Sequence, residues 1–196
     1  KSLVLNEHER KLTAYHEAGH AVLGLKIPGL DQVHKVTIVP RGRALGITAS
    51  LPQEDRHSYT KEWMGGQLAM LFGGRVAEEL IFGPEAVTTG AGNDIERATT
   101  MARRMVTTFG MSDVIGLVAV ADAEQGVFLG RDIQQRRTVS EHTQRLVDEE
   151  IKRFLDLAHK RAHSVLAEHG DLLESIAQAL LNRETLDRDA IKALER

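Results

Sequence analysis

The residues best suited to chemistry are His16, Glu17 and His20, which form an H-E-x-x-H sequence. Residues four positions apart lie on one face of a helix, so both imidazoles can reach a single metal ion at about 2.0–2.1 Å. Such an ion lowers the pKa of a bound water from ~15.7 towards ~7. Glu17 follows the first ligand, so it lies beside the metal, where it can take a proton from that water and pass it to a leaving amine. The motif therefore predicts zinc-dependent peptide hydrolysis with Glu17 as the base.

A catalytic zinc needs a third protein ligand and one open position. The extended pattern H-E-x-x-H-x-x-G-x-x-H is excluded, because Leu23 and Lys26 occupy the positions that need Gly and His. Acidic residues further along the chain are the remaining candidates: Glu62, Glu78, Glu79 and Asp94. Spacing does not choose between Glu78 and Asp94, since an Asn-Asp pair before an apolar-periodic segment is also an ordinary helix start.

Composition limits the class of protein. The chain has 196 residues, of which 42% are hydrophobic and 27% charged, as expected for a globular domain with a substantial core. The net charge is −3 and basic residues are interspersed with acids, which argues against a nucleic-acid partner. There are no cysteines, so a metal must be held by His, Asp or Glu, and the compartment is expected to be reducing.

No apolar stretch approaches the ~20 residues needed to cross a bilayer. The first residue is Lys1, not Met, and no signal-like segment follows. We therefore interpret the chain as a soluble piece of a longer protein. Membrane or nucleotide-binding parts would then lie upstream of it.

The motif needs a helix to position it, and residues 6–27 look helical, with Asn6 and Glu9 as a capping pair and Pro28 at the end. Two alternating, β-branched segments follow at 33–39 and 45–51. They predict an antiparallel hairpin with a loop of about five residues. Helices are then predicted at 60–72 and 75–82, punctuated by Gly73-Gly74.

The second half of the chain is predicted to be almost entirely helical. A glycine-rich loop at 88–92 precedes a helix that begins at Asn93 or Asp94 and runs to about Phe109. Residues 111–138 look irregular, with a short strand at 117–120. Later helices are predicted from Ser140 to about His169, over 171–181 and from Asp187.

The predicted fold is mainly α: a small β hairpin or sheet beside the zinc helix and a C-terminal helical bundle. We divide the chain into a catalytic part, 1–138, and a C-terminal helical part, 139–196.

The segment 13–21, TAYHEAGHA, resembles the zinc-binding helix of the FtsH-type AAA metalloproteases, peptidase family M41. Further matching segments follow in the same order along the whole chain. They are KVTIVPRG at 35–42, GGRVAEE at 73–79, TTGAGND at 88–94, FLGRD at 128–132 and DEE at 148–150.

The resemblance implies a zinc metalloendopeptidase with one zinc per chain. It implies that Asp94 is the third ligand and that Glu78 lies close to the site, where it would accept the other N–H of a ligand imidazole. Members of the family join transmembrane segments, an ATPase module and this domain in a hexameric ring. No phosphate-binding G-x-x-x-x-G-K-[ST] sequence occurs here, so ATP would act only through the absent module.

The implied function is ATP-dependent, processive degradation of unfolded or membrane proteins. The implied location is the cytoplasmic face of a membrane, the bacterial inner membrane or an organellar one. Residues Gly46, Ile47, Thr48 and Ala49 form a candidate edge strand that could pair with an extended substrate, although a purely structural hairpin has the same pattern. Two other functions stay open: a stand-alone zinc peptidase with Glu78 as third ligand, and a non-enzymatic relative that keeps the fold for assembly.

Overall fold

The computed structural model describes residues 5–52, 55–120 and 139–196. Within these ranges the chain is mainly α, as predicted, with one small antiparallel sheet. The helices are α1 (Glu7–Lys26), α2 (Lys61–Leu71), α3 (Gly73–Phe82), α4 (Gly92–Thr107), α5 (Glu141–Glu168), α6 (Gly170–Arg183) and α7 (Arg188–Leu194). The strands are β1 (Gln32–Thr37), β2 (Ile47–Leu51) and β3 (Thr185–Asp187), and single 3-10 turns cover Pro84–Ala86 and Thr89–Ala91.

Helix α1 is the centre of the molecule. Its start is the predicted capping box: Asn6 Oδ1 accepts from the Glu9 amide at 2.8 Å, and Glu9 Oε2 accepts from the Asn6 amide at 3.2 Å. Its buried residues lie on more than one face, because α3, α6 and β1 all pack against it. The H-E-x-x-H segment is thus held by tertiary packing rather than lying on a surface helix.

The sheet has the order β2-β1-β3, so β2 is an edge strand. Strands β1 and β2 pair antiparallel with Val36 opposite Thr48, as the hairpin prediction required. The predicted loop of about five residues was too short, because the strands end at Thr37 and begin again at Ile47. The intervening segment folds back on itself through a bridge between Arg41 and Ala44.

Strand β3 was not predicted. Its three residues are too few to show an alternating pattern, and they become a strand only because Leu186 pairs with Val36 of β1. Asp187 then caps α7 by accepting from the Ala190 amide at 2.8 Å, which agrees with the predicted final helix.

Two other boundaries differ from the prediction. The break between α2 and α3 falls at Phe72, and Gly73 and Gly74 form the first turn of α3 instead of interrupting the chain. Helix α4 begins at Gly92 with no side-chain cap, so neither Asn93 nor Asp94 is the cap. This leaves the Asp94 carboxylate available for other partners.

The short strand predicted at 117–120 is not formed, although the Val120 amide bonds the Thr107 carbonyl at 2.9 Å. The family-like segment at 128–132 lies outside the described residues. Helix α5 begins as predicted, with Ser140 accepting from the Thr143 amide. Helix α6 then starts at Gly170 directly after it.

The C-terminal helices complete the core. Helix α6 packs along α1, while α5 packs against α2, α3 and α4. Among the described residues, no helix combines the length and apolar character needed to cross a membrane.

Candidate metal and catalytic site

Three side chains from two helices converge on one point. His16 and His20 lie one turn apart on α1, and Asp94 lies in the first turn of α4. Their Nε2, Nε2 and Oδ2 atoms are separated by 3.2 Å between the two histidines, 3.3 Å from His16 to Asp94 and 3.1 Å from His20 to Asp94. In the described part of the chain this is the one His/Asp/Glu group whose donor atoms are close enough to share an ion.

In each histidine ring, the hydrogen bond made by Nδ1 fixes the direction in which Nε2 points. The Nδ1–H of His20 donates to the Met70 carbonyl at 2.8 Å, because a carbonyl can only accept. The Nδ1–H of His16 donates in the same way to Glu78 Oε2 at 3.0 Å. A neutral imidazole carries one N–H, so when both rings are neutral their Nε2 atoms present lone pairs to the same point, which suits a cation.

The spacing of the three donor atoms fits zinc. Ligands at about 2.0–2.1 Å in a tetrahedral arrangement are roughly 3.3 Å from one another. The three observed separations between donor atoms, 3.1–3.3 Å, match this ligand-to-ligand distance. The donor set, two imidazoles and a carboxylate, leaves one tetrahedral position open, as a catalytic site requires.

Glu78 is almost completely enclosed, at 1% exposure, and its carboxylate is fully engaged. Oε2 accepts from His16, while Oε1 accepts from the Thr88 amide at 3.0 Å and the Thr88 hydroxyl at 2.6 Å. Glu78 therefore faces the back of the His16 ring and not the point where the three donors meet. A carboxylate in this position accepts the Nδ1–H of His16, the kind of contact that commonly orients a metal-ligating imidazole.

The electrostatics of the cluster favour a positive charge. Burial by itself disfavours the His16 imidazolium, but its hydrogen bonds to Asp94 and Glu78 outweigh burial and raise its pKa from 6.5 to about 9. Burial likewise opposes ionisation of the Asp94 and Glu78 carboxyl groups. Hydrogen bonds from His16 and His20 nevertheless hold the pKa of Asp94 well below its usual range. His16 and Thr88 lower the pKa of Glu78.

Glu17, the predicted base, lies one residue after the first histidine and is buried at 7% exposure. Its Oε2 accepts from the Thr48 hydroxyl at 2.8 Å, while Oε1 has no partner among the described residues. The side chain lines a cleft of about 890 Å³ that also contains the three convergent donors. Oε1 is thus available to a small molecule bound in that cleft.

The cleft runs along the hairpin. Of the four predicted strand residues, Gly46, Ile47 and Thr48 line it, and Ala49 does not. Trp63 and Met70 of α2 and Arg97 of α4 line other parts of the cleft. The edge strand and the convergent donors therefore share one open groove.

Sequence reasoning missed the residues that support the site from behind. Thr88 holds the Glu78 carboxylate that contacts His16, and the Met70 carbonyl accepts from His20; a backbone acceptor leaves no trace in a sequence. Gly74 is required for space, since a Cβ there would lie 2.3 Å from His16 Nε2. Glycine in the first turn of a helix was a visible signal for close approach, but it was interpreted as punctuation.

The fold and site have the features of a zinc metallopeptidase: a buried helix with the H-E-x-x-H sequence, a carboxylate beside its two imidazoles, a second carboxylate in the same cleft and a strand along that cleft. The particular family follows from comparison with known proteins. The model for peptidase family M41 matches residues 3–194, and the chain belongs to that family.

Close relatives are bacterial. The chain is 51% identical to an "ATP-dependent zinc metalloprotease FtsH" of Magnetococcus marinus, over 97% of this chain and 28% of the relative. Proteins of the same name from Photobacterium profundum and Caulobacter vibrioides are 48% and 49% identical, over 99% and 97% of this chain. The chain spans less than a third of the length of these curated relatives.

Proposed function

We propose that the chain is the zinc endopeptidase domain of an ATP-dependent protease, with one zinc on His16, His20 and Asp94 and with Glu17 as catalytic base. The observation that carries the proposal is the convergence of the three donor atoms in a cleft that Glu17 also lines, where Glu17 Oε1 has no partner among the described residues. Membership of family M41 supports it independently.

Zinc held by His16, His20 and Asp94 would supply an activated water and a Lewis acid for the peptide carbonyl. The protein's own groups carry the proton. Glu17 takes it from the attacking water at Oε1 and later gives it to the nitrogen of the leaving amine. Glu78 and the Met70 carbonyl keep both imidazoles turned towards the metal throughout, so the ligand geometry does not need to form during the reaction.

The substrate is an extended polypeptide that adds to the outer edge of β2, which has no partner strand among the described residues. Gly46, Ile47, Thr48 and Ala49 would supply backbone partners, and the scissile bond would then lie in the groove that holds the donors. Backbone pairing depends little on side chains, which suits degradation of many unfolded proteins.

The names of these relatives describe them as ATP-dependent, which supports an ATP-driven motor for this domain, while the ring and the membrane anchor are what the resemblance to the family implies. In the whole protein an ATPase module would unfold and feed substrates, transmembrane segments would anchor it, and six copies would form a ring. The peptidase domain would face the cytoplasm at a bacterial inner membrane. We also infer that residues 1–138 form the catalytic part and residues 139–196 the helical support.

The test of the mechanism is Glu17→Gln in the 196-residue chain. The variant should keep about one zinc per chain and lose hydrolysis of an unstructured fluorogenic peptide by at least ~100-fold, since it removes the base. Unmodified chain treated with a chelator should also be inactive and recover with added zinc. Undiminished hydrolysis by Glu17→Gln would overturn the assignment of the base.

The stand-alone peptidase remains the alternative, and it is distinguished by substrate state. A domain without its motor should cleave unfolded casein but leave a stable folded protein intact, with or without ATP. The full-length protein should degrade the folded protein only with ATP. Efficient digestion of the folded protein by the isolated chain would favour the hypothesis of a stand-alone zinc peptidase.

A further inference from the structure

Strand β2 and the catalytic helix touch at Glu17. The Thr48 side chain reaches α1, where its Oγ1 lies 2.8 Å from Glu17 Oε2 and 3.1 Å from the Glu17 carbonyl oxygen. Close packing makes this possible. A Cβ on Gly46 would lie 2.7 Å from Glu17 Cγ and 2.9 Å from the Thr37 carbonyl oxygen, so the strand could not approach with a larger residue there.

The Thr48 hydroxyl has one proton and two acceptors in reach. The contact to the carboxylate oxygen Oε2, at 2.8 Å, has the usual length of an O–H···O hydrogen bond, whereas the 3.1 Å contact to the carbonyl oxygen is longer than that range. Glu17 is buried, and within the described residues no other group donates a hydrogen bond to its carboxylate. A buried carboxylate with a single donor has its orientation set by that donor.

We propose that Thr48 is a positioning residue for the base: its hydroxyl holds Glu17 Oε2 and so directs Oε1 into the groove. The inference rests on the proposed function, because it assigns a role towards the same base. It differs from the substrate-strand role of Thr48, which involves only the backbone of β2. The positioning role also links substrate binding to orientation of the base, since the strand proposed to receive the substrate is the strand that orients Glu17.

The experiment compares Thr48→Val with Thr48→Ser, which remove and retain the hydroxyl. In the zinc-loaded chain Thr48→Val should lower kcat for an unstructured peptide about tenfold or more, with KM within about twofold, because misplacement of a base acts on the chemical step. Thr48→Ser should recover most of kcat. Thr99→Val is the matched control, because the Thr99 hydroxyl bonds only the Ile95 carbonyl within α4. It should leave both constants unchanged.

A merely structural or substrate-binding Thr48 would behave differently. A rise in KM at constant kcat would assign Thr48 to substrate binding and overturn the proposal, as would equal kcat in Thr48→Val and unmodified chain. Equal loss in Thr48→Val and Thr48→Ser, together with a lower melting temperature, would show that it is a packing residue.

A second readout does not need activity, so it separates this proposal from the proposed function. Crystal structures of both variants should show the Glu17 carboxylate rotated away from its present position in Thr48→Val and unmoved in Thr48→Ser. An unmoved Glu17 in Thr48→Val would refute the positioning role even if the chain hydrolysed no peptide. A rotated Glu17 in an inactive chain would retain the positioning role and reject only the hydrolytic function.

Discussion

The backbones of Gly19 and Gly73 are in direct contact: a Cβ placed on Gly19 would lie 2.2 Å from the Gly73 carbonyl oxygen. Gly19 stands inside the H-E-x-x-H motif, and Gly73 begins α3, the helix that carries Glu78. The two helices can therefore approach closely enough for Glu78 to reach His16. The middle of the motif is constrained by packing as well as by metal chemistry.

Gly19→Ala should be severely destabilising. The added methyl group meets backbone that cannot rotate away, so α1 and α3 must separate, which we expect to cost about 3 kcal/mol or more of the unfolding free energy. Urea denaturation monitored by circular dichroism measures this loss of unfolding free energy.

Gly65→Ala in α2 is the matched control, because no atom lies within 4 Å of the added Cβ. Its unfolding free energy should stay equal or rise by up to ~1 kcal/mol. Equal stability of the two variants would disprove the close-contact argument.

Zinc content should distinguish the third ligand from the orienting acid. Unmodified chain should bind about one zinc, and Asp94→Ala should lose it, because two imidazoles alone hold zinc weakly. Glu78→Gln should keep zinc with an affinity lowered about 10–100-fold, as expected for the partner of a ligand imidazole. Atomic absorption after dialysis and a chelator competition give both numbers.

Glu79→Gln is the control for the two zinc variants, since Glu79 is the neighbouring acid on α3 but contacts His159 of α5 at 3.1 Å instead of the site. It should bind zinc like the unmodified chain. Loss of zinc in Glu78→Gln with retention in Asp94→Ala would exchange the roles of the two acids.

Zinc affinity should rise steeply with pH. His16 must lose its proton to ligate zinc, and its neighbours raise its pKa to about 9. From pH 6 to pH 8 most zinc-free chains carry that proton, so the affinity should increase about tenfold per pH unit. In the zinc-free chain, folding stability depends on pH in the opposite direction. The stability that the protonated His16 contributes is complete below its unfolded pKa of 6.5 and is lost as the pH rises through 9.

The zinc-free chain should therefore unfold more easily at pH 9.5 than at pH 6.5. In Glu78→Gln the His16 pKa should fall, so both pH dependences should be shallower. Chelator competition and thermal melts at four pH values measure them. A pH-independent zinc affinity over pH 6–8 would contradict the raised pKa.

A buried acid far from the groove should control stability. Glu150 of α5 accepts from the Ser112 hydroxyl at 2.6 Å and from Arg153 Nε at 2.6 Å, and Arg153 and Ser112 lower its pKa against the effect of burial. Glu150→Gln should lower the unfolding free energy at pH 7 by about 1 kcal/mol, a value discounted because the Arg153 side chain is half exposed.

The sign of this effect follows from the lowered pKa. The stabilisation is present above the unfolded pKa near 4.5 and is lost as the pH falls below it, so the difference between Glu150→Gln and unmodified chain should shrink by pH 3. Urea titrations at both pH values test it, with Glu149→Gln on the exposed side of α5 as control. A difference that grows at pH 3 would contradict the assignment.

Local patterns were sufficient for much of this protein. The capping box at Asn6 and the Ser140 cap are satisfied within one helical turn, so sequence alone placed those helix starts. The i, i+4 spacing of His16 and His20 put both rings on one face for the same reason. Resemblance to family M41, carried by motifs along the whole chain, identified the family that comparison confirmed.

Other features depend on contacts between distant residues. Strand β3 exists because it pairs with a strand some 150 residues earlier, and no three-residue pattern could show this. Spacing left Glu78 and Asp94 equivalent, since both were acids on later helices. Only the tertiary structure, which packs α3 against α1 and brings the first turn of α4 to the two histidines, places one carboxylate behind the His16 ring and the other beside both Nε2 atoms. The sequence by itself determined which chemistry is available, because side-chain type and helical spacing are local. The tertiary structure decided where each acid lies and which hydroxyl contacts Glu17, because hydrogen bonds act over about 3 Å and depend on which helices and strands meet.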